Sequence, residues 1–481
     1  MLQGTTPAFL CVLGLVLNRA TQVTTTAANM SSGPAGVDDD GGGDRVWIGS
    51  WVVQIDPAMM SQAQLATLAA HHGLTVIGAV GGQRNPTFVL HRRCLNNPGH
   101  CRQSREPDTT GGLATHPGVH EVTQEHEVRR ARRAALPDPA ARHERARRYP
   151  WGPTVPSDPL FPQQWFIDNT QQVGHDAEVL GAWQQGLNGS GVVVCVVDDG
   201  IEYTHDDLSA AYDANASADF NSNDDDPYPH EEDPINNHGT RCSGVVAAQP
   251  NNAKCGVGVA PGARIGGIRM LDGPISDTVE ARSFAHNPQY IDIYSSSWGP
   301  NDDGRTVEGP GPAAAQALEA GVNEGRGGKG SIFLFASGNG GSRDDCNCDG
   351  YANSVYTIAI SAITENDGRP YYSENCAAAL TSTYSSGGGR SIVTTDIHNR
   401  CHTGFSGTSA AAPLAAGILA LVLQARPDLT WRDMQHVIVQ SALMVAPADP
   451  DWHENSAGLS HNHKYGFGKM SADVFLTSAW L

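Results

Sequence analysis

The sequence has 481 residues and a formal net charge of −20, with 31 Lys and Arg against 51 Asp and Glu. That length exceeds one average domain and suits one large and one small unit, and so acidic a surface excludes nucleic acid and other polyanions as favoured ligands. The charge is uneven: 15 basic against 12 acidic residues up to Arg148 and 16 against 39 beyond it, about +3 followed by about −23, so the first part is electrostatically suited to bind the second.

In chain order, Phe9 to Leu17 (FLCVLGLVL) is a nine-residue apolar run, the length of a signal-peptide core and too short to span a bilayer. We read residues 1–28 as a signal peptide, although a basic segment before the run is missing. No later run reaches eighteen apolar residues, so no membrane anchor is expected. Ten cysteines and sequons at Asn188 and Asn215 fit a secretory route.

Residues 29–45, rich in Gly, Ser and Asp, read as a flexible linker. From Val46, VWIGSWVVQI reads as a strand, SQAQLATLAAHHG as a helix ended by Gly73, and LTVIGAV and PTFVLHR as further strands, a small α+β unit within residues 46–148. Residues 97–157 lose periodicity and gather Pro, Arg and His, which predicts an exposed, protease-accessible linker. It holds two R-x-R-R tetrads, ending at Arg133 and Arg148.

Beyond Asp158 come short apolar runs: GVVVCVV, RIGGIRML, YIDIYSSS, SIFLFAS and VYTIAISAI. Runs apolar at nearly every position suit strands buried on both faces, and helical stretches such as GTSAAAPLAAGILALVLQAR lie between some of them, so the fold class is α/β with a doubly wound parallel sheet.

Several elements end in reactive residues. VVVCVVDDG delivers Asp198 and Asp199, NNHGTRCSG places His238 before Gly239, and GTSAAAP puts Ser409 at a helix start. Singly these are a buried carboxylate, a core histidine and a helix N-cap. Together they supply a nucleophile, the base that takes its proton and the carboxylate that orients the base, in the order Asp, His, Ser. In FLFASGNGG, Asn339 adds an amide donor for a tetrahedral oxyanion. The acidic run DFNSNDDDP, taken alone, reads as a solvated loop.

These residues, with DDGIEYTHDDL, HGTRCSG, RIGGIRMLDG, SSWGPNDDGRTVEGP, ASGNGG, CNCDGYANS, GTSAAAPLAAG and LTWRDMQH, resemble the kexin/furin-like proprotein convertases, a branch of the subtilisin-like (S8) serine proteases. The likeness runs from about Asp158 to the C-terminus, and AGLSHNHKYGFG leans towards the type 7 branch. Residues 46–148 resemble the family's inhibitory prodomain in plan, leaving 149–481 as the catalytic domain.

The resemblance implies a subtilisin-like fold with Asp198, His238 and Ser409 as the triad and Asn339 at the oxyanion. It places Ser297, Trp298 and Gly299 along the substrate, Asp302 and Asp349 around a P1 arginine, Asp199 at P2, and Glu280, Glu308 and Tyr351 at P4. Ile235 stands where the family has a second P2 aspartate, so a weaker preference for basic P2 is expected unless Asp233 compensates. Calcium is the implied cofactor: Asp158, Asp207, Asn252 and Gly256 with the carbonyls of Gln249 and Lys254 match one site; Asp302, Asp344 and Glu374 a second; Asp219, Asp224 and Asp226 a third, which turns the acidic run into a cation cage. Cys255–Cys401 and Cys346–Cys376 match family disulfides, Cys242 is expected as a free thiol near His238, and Cys195 as a core residue.

The implied partners are precursor proteins with multibasic sites in the Golgi lumen or outside the cell, together with the chain's own prodomain. That prodomain would be cut after Arg148, with the Arg133 tetrad a second cut or a decoy. His72 falls where some relatives carry a pH-sensing histidine. Family members usually continue into a β-sandwich P domain and often an anchor; the sequence contains neither, and we read it as a fragment. An inactive fragment and a broad degradative subtilase are the alternatives, the latter requiring an apolar P1 pocket.

Overall fold

The structure is a computed structural model that describes residues 47–72, 74–80, 87–92, 113, 116–117, 119–126, 155–230, 236–273 and 275–479. The signal peptide, the linker, both R-x-R-R tetrads with Arg133 and Arg148, and Asp233 and Ile235 lie outside the described residues. The described residues fall into two compact units.

In the smaller unit, β1 (Trp47–Ile55), α1 (Gln62–His71), β2 (Leu74–Val80), β3 (Thr87–Arg92) and β4 (Val119–His126) form one helix and an antiparallel sheet of order β2-β3-β1-β4. Val53 and Ile55, two apart on one face of β1, bury with Leu65 and Ala69 of α1, one helical turn apart. Ser61 and Gln64 close a capping box at the start of α1, and His72 caps its end through its backbone N–H. Strand β4 corrects the reading of residues 97–157 as linker throughout. VHEVTQEH offers only Val119 and Val122 as apolar residues, yet pairs Val122 with Val53 at the sheet edge, where an outer face of polar residues is tolerated.

The larger unit is built on β5 (Val193–Asp198), β6 (Ala218–Asp219), β7 (Arg264–Arg269), β8 (Ile293–Ser296), β9 (Ile332–Ala336), β10 (Ile358–Ile363) and β11 (Ala379–Tyr384), a parallel sheet of order β11-β10-β9-β8-β5-β7-β6. Alternate residues serve two cores. Val194 and Val196 of β5 and Leu334 of β9 pack in one, Cys195, Val197, Phe333 and Phe335 in the other, which is why these runs are apolar at every position.

Helices α2 (Val179–Gln184), α3 (His238–Ala247), α4 (Asp277–Phe284), α5 (Pro312–Gly328), α6 (Thr408–Ala425), α7 (Trp431–Ser441) and α8 (Ala472–Ser478) surround the sheet. Leu414, Ile418 and Leu421 of α6 join the same core as α3, while Phe284 of α4 and Leu318 of α5 join the other. Helix α6 is long and apolar enough to cross a membrane, but 83% of it is buried within the protein. Two hairpins complete the unit, β12 (Ile392–Asp396) with β13 (Arg400–Phe405) and β14 (His453–Glu454) with β15 (Ser460–His461).

The connection reverses direction between β5 and β8, and the crevice at the carboxyl ends of the strands beside such a reversal is where open α/β sheets bind ligands. Asp198 ends β5, Ser297 follows β8 and Asn339 lies three residues past β9.

Candidate active site

Asp198 is fully buried, and its carboxylate accepts from Nδ1 of His238 at 2.9 and 3.0 Å and from the Asp199 amide at 2.8 Å. His238 opens α3 and Gly239 follows it. A Cβ on Gly239 would sit 2.2 Å from the Gly200 carbonyl and 3.0 Å from Asp198 Cβ, so glycine is what lets the helix start approach the end of β5. Burial alone would lower the His238 pKa, but the charge and hydrogen bond of Asp198 outweigh it and hold the imidazole well above its ordinary value. Phe405 packs edge-on against the His238 ring at 5.6 Å; as the sole apolar residue in a polar strand end, it gave no signal of this role in the sequence.

Ser409 sits in the first turn of α6. Its Oγ donates to the Ser297 carbonyl at 3.2 Å rather than to His238, and the Ser297 hydroxyl donates back to the Ser409 carbonyl at 3.1 Å. Gly407 before the helix has φ +84° and would put a Cβ 3.2 Å from Asn339 Oδ1. Asn339 Oδ1 accepts from the Thr408 amide at 2.8 Å and its hydroxyl at 3.1 Å, which fixes the amide's orientation and leaves its Nδ2 as the donor. Thr408 is therefore a positioning residue that the sequence motif did not single out. Cys242 is buried and outside any disulfide, with Sγ 3.9 Å from His238 Nδ1 and 3.7 Å from the Ser409 carbonyl; Cys195 is likewise buried.

Asp199, expected at P2, has two backbone partners within the site. It is buried, and its two oxygens accept from the His238 amide at 2.9 Å and the Gly239 amide at 2.7 Å. Burial and the Asp198 charge push its pKa up, against those amides and His238. The carboxylate thus caps α3 and holds His238 in place.

A group of acidic residues adjoins Asn339, whose backbone amide donates to Asp302 Oδ2 at 2.8 Å. Asp349 Oδ1 accepts from the amides of Tyr351 at 2.7 Å and Ala352 at 3.1 Å, and a Cβ at Gly299 would lie 2.6 Å from Asp349 Oδ2, so glycine keeps that oxygen open. Burial, then the charges of Asp302 and Asp344, push Asp349 up to about 6. Trp298 donates from its indole to the Val197 carbonyl at 2.8 Å and packs on Tyr351 with ring centroids 5.1 Å apart. Tyr351 donates its hydroxyl to Glu280 at 2.9 and 3.0 Å. Glu280 is pushed up by burial and by the charges of Asp277 and Glu308. Glu308 is exposed and exchanges backbone hydrogen bonds with Cys348 and Gly350, on either side of Asp349.

Two of the three expected cation sites have donor sets that fit calcium. Asp158 and Asp207 are buried together, and Asp207 Oδ2 is buried without a partner. Burial, then the Asp158 charge, push Asp207 up to about 7 against its hydrogen bond from Asn252, at 2.6 Å. Gln249, Lys254 and Gly256 belong to the same turn, which the Cys255–Cys401 disulfide anchors with an S–S length of 2.03 Å. In the second site, oxygens of Asp302, Asp344 and Glu374 lie within 4.8 Å of one another. Glu374 is pushed up to about 8 by burial and then the charges of Asp302, Asp344 and Asp349. Clustered carboxylates that repel one another, from the buried Asp158, Asp207 and Glu374 to the exposed Asp302, are what a hard cation with oxygen ligands would hold together. The Cys346–Cys376 disulfide, at 2.09 Å, closes this loop.

The third set is not gathered in this way. Asp219 Oδ2 pairs with the buried guanidinium of Arg269, Oδ1 accepts from the amides of Asn221 and Ser222, and Asp224 and Asp226 are exposed. An arginine fifty residues downstream already neutralises Asp219, which the acidic run could not reveal.

A buried Asp–His pair, a serine at a helix start and an amide donor, all at the carboxyl edge of a parallel sheet, define a subtilisin-like serine peptidase arrangement. Comparison with known proteins agrees. The subtilase family, peptidase S8, matches residues 189–468 and the peptidase S8 pro-domain matches residues 50–133. Furin of Homo sapiens is 44% identical over 450 residues, 92% of this chain and 52% of its own. Furin-like protease 1, isoform 1-CRR, of Drosophila melanogaster is 53% identical over 320 residues, 66% of this chain and 29% of its own. The serine protease of Aeromonas sobria shares the fold, with TM-score 0.61 at 24% identity over 68% of each chain. The chain spans about half or less of the length of these curated relatives. It belongs to the subtilase family and, within it, to the kexin/furin-like proprotein convertases.

Proposed function

We propose that the protein is a calcium-dependent serine endopeptidase that cleaves precursor proteins after paired basic residues in the secretory pathway, beginning with its own prodomain. The observation that carries this reading is the Asp198–His238 pair, at 2.9 Å, together with the half-buried carboxylate of Asp349, whose Oδ2 the glycine at 299 leaves uncovered. His238 Nε2 takes the proton as Ser409 Oγ exchanges its hydrogen bond to Ser297 for one to the imidazole and attacks the scissile carbonyl carbon. The oxyanion accepts from Asn339 Nδ2 and the Ser409 amide. His238 then gives the proton to the leaving amine, and water, activated by the same imidazole, hydrolyses the acyl ester. Asp198 holds the tautomer and the imidazolium throughout.

A P1 guanidinium suits Asp349 because burying that carboxylate without a cation is costly, and the Glu280–Glu308 cluster favours a second basic group further along the substrate. Calcium, when bound by Asp158, Asp207 and Asn252 and by Asp302, Asp344 and Glu374, supplies the charge that lets these carboxylates ionise together. The released prodomain acts as an inhibitor in this scheme. The two disulfides suit an oxidising lumen.

The test is N-terminal sequencing of the chain expressed through a secretory pathway in cells lacking other convertases, beside Ser409→Ala. A start at Tyr149 in the wild type with an uncut variant is expected. Equal processing of both would overturn the self-cleavage, and a preference for Phe or Leu over Arg at P1 in a peptide panel would overturn the specificity.

A further inference from the structure

The hairpin β14–β15 carries histidines that the proposed reaction does not use. His453 and His461 are cross-strand partners and His463 lies two residues further on. The three rings stand mutually close, with centroids 5.8 Å apart for His453 and His461, 5.6 Å for His453 and His463, and 5.9 Å for His461 and His463.

Each ring has one nitrogen committed to an oxygen. His453 Nδ1 meets the Asp451 carbonyl at 3.0 Å, His461 Nε2 the Ala379 carbonyl at 3.2 Å, and His463 Nδ1 the Asp451 carboxylate at 3.0 and 3.1 Å. A ring nitrogen facing an oxygen acceptor bears the proton, so in the neutral rings the lone pairs are left on His453 Nε2, His461 Nδ1 and His463 Nε2. For His461, which need not rotate, the Ala379 carbonyl behind the ring is the support that metal-bound imidazoles characteristically have.

Burial lowers the His461 pKa, against its hydrogen bond to the Ala379 carbonyl. The nearby Lys464 ammonium is taken up by Asp449 at 2.7 Å, and the exposed Glu454 adds a negative charge beside His453.

We propose that His453, His461 and His463 form a three-histidine site for a divalent transition ion of the zinc class, with water as the fourth ligand. Three imidazoles and an open position are a recurring zinc donor set, and imidazole nitrogens discriminate against calcium, which takes oxygen ligands. Among the described residues the clusters with ligand atoms already within 4.8 Å of one another are Asp198–His238–Cys242 and Asp302–Asp344–Glu374, so the histidine site closes by rotation of its rings. The exposure of His453 and the half-exposure of His463 permit that rotation. The His463 carbonyl accepts from the Cys376 amide at 2.7 Å, so an ion here would brace the disulfide loop that also holds Glu374.

The test is zinc content by mass spectrometry and the cobalt(II) visible spectrum of the full chain after equilibrium dialysis. Wild type is compared with His453→Gln/His461→Gln and with Cys242→Ser. The expected result is one equivalent fewer in the histidine variant, an unchanged count in Cys242→Ser, and a cobalt spectrum without a sulfur charge-transfer band. An equal count in wild type and the histidine variant, or a loss confined to Cys242→Ser, overturns the site. Should the double variant fail to fold, His453→Gln alone, at an exposed position, is expected to weaken cobalt binding at least tenfold, and unchanged affinity overturns the proposal.

Discussion

At the scale of single residues, the arrangement separates groups that act on the substrate from groups that aim them. Asn339 is held by Thr408 through its Oδ1, so its donor is fixed before substrate arrives. Asn339→Ala is expected to lower kcat by about 10²–10³-fold with little change in KM, because the contact forms only in the transition state. A change confined to KM would remove it from that role. His238 gives a pH prediction with a definite sign. Catalysis needs the neutral imidazole, and Asp198 raises its pKa against the effect of burial, so Asp198→Asn shifts the acid limb of the kcat/KM profile to lower pH while lowering kcat by about 10⁴-fold. On the proposed reading, Asp349→Asn leaves a P1 arginine without its half-buried partner, a loss of about 3 kcal/mol, read as a drop of roughly 10²-fold in kcat/KM for P1 arginine.

At the scale of elements, what the sequence made legible was what depends on local pattern. The runs forming β5 and β9 are apolar at nearly every position because alternate residues of each strand feed two cores. The motif spacing placed Asp198, His238, Ser409 and Asn339 at element ends, and the structure has them at the end of β5, the starts of α3 and α6 and three residues past β9. What escaped was decided by partners far along the chain: β4 pairs with β1 despite a polar sequence, the amides of α3 donate to Asp199, and Arg269 pairs with Asp219. The acidic loops make their own prediction. Asp207 at about 7 and Glu374 at about 8 lie above their ordinary values of 3.8 and 4.5. Without cation, the folded state therefore holds protons that the unfolded chain has released between about pH 4 and 8, and stability falls as pH rises through that window. In chelator the Tm is expected to drop from pH 5 to pH 8. Saturating calcium, which favours the ionised carboxylates, should flatten or reverse the slope. A chelated protein equally stable at both pH values would show that these carboxylates are not strained.

At the scale of the whole molecule, a basic first part followed by a strongly acidic second part suits a segment that stays bound after the bond joining it has been cut. On our reading of the function, cleavage after Arg148 leaves a product segment that competes for the substrate site, and binding elements joined on one chain hold each other at high effective concentration. A cut after Arg133 would divide that product into two shorter pieces, each released faster. The two tetrads therefore predict two separable phenotypes. Arg148→Ala should leave the chain uncut and silent towards a peptide substrate. Arg133→Ala should permit the cut before Tyr149 yet yield a complex that stays inhibited until salt is raised, since a net of about +3 against about −23 is screened at high ionic strength. Gel analysis of the cut alongside peptide hydrolysis distinguishes them, and an Arg133→Ala protein that activates at the wild-type rate would assign release to dissociation alone.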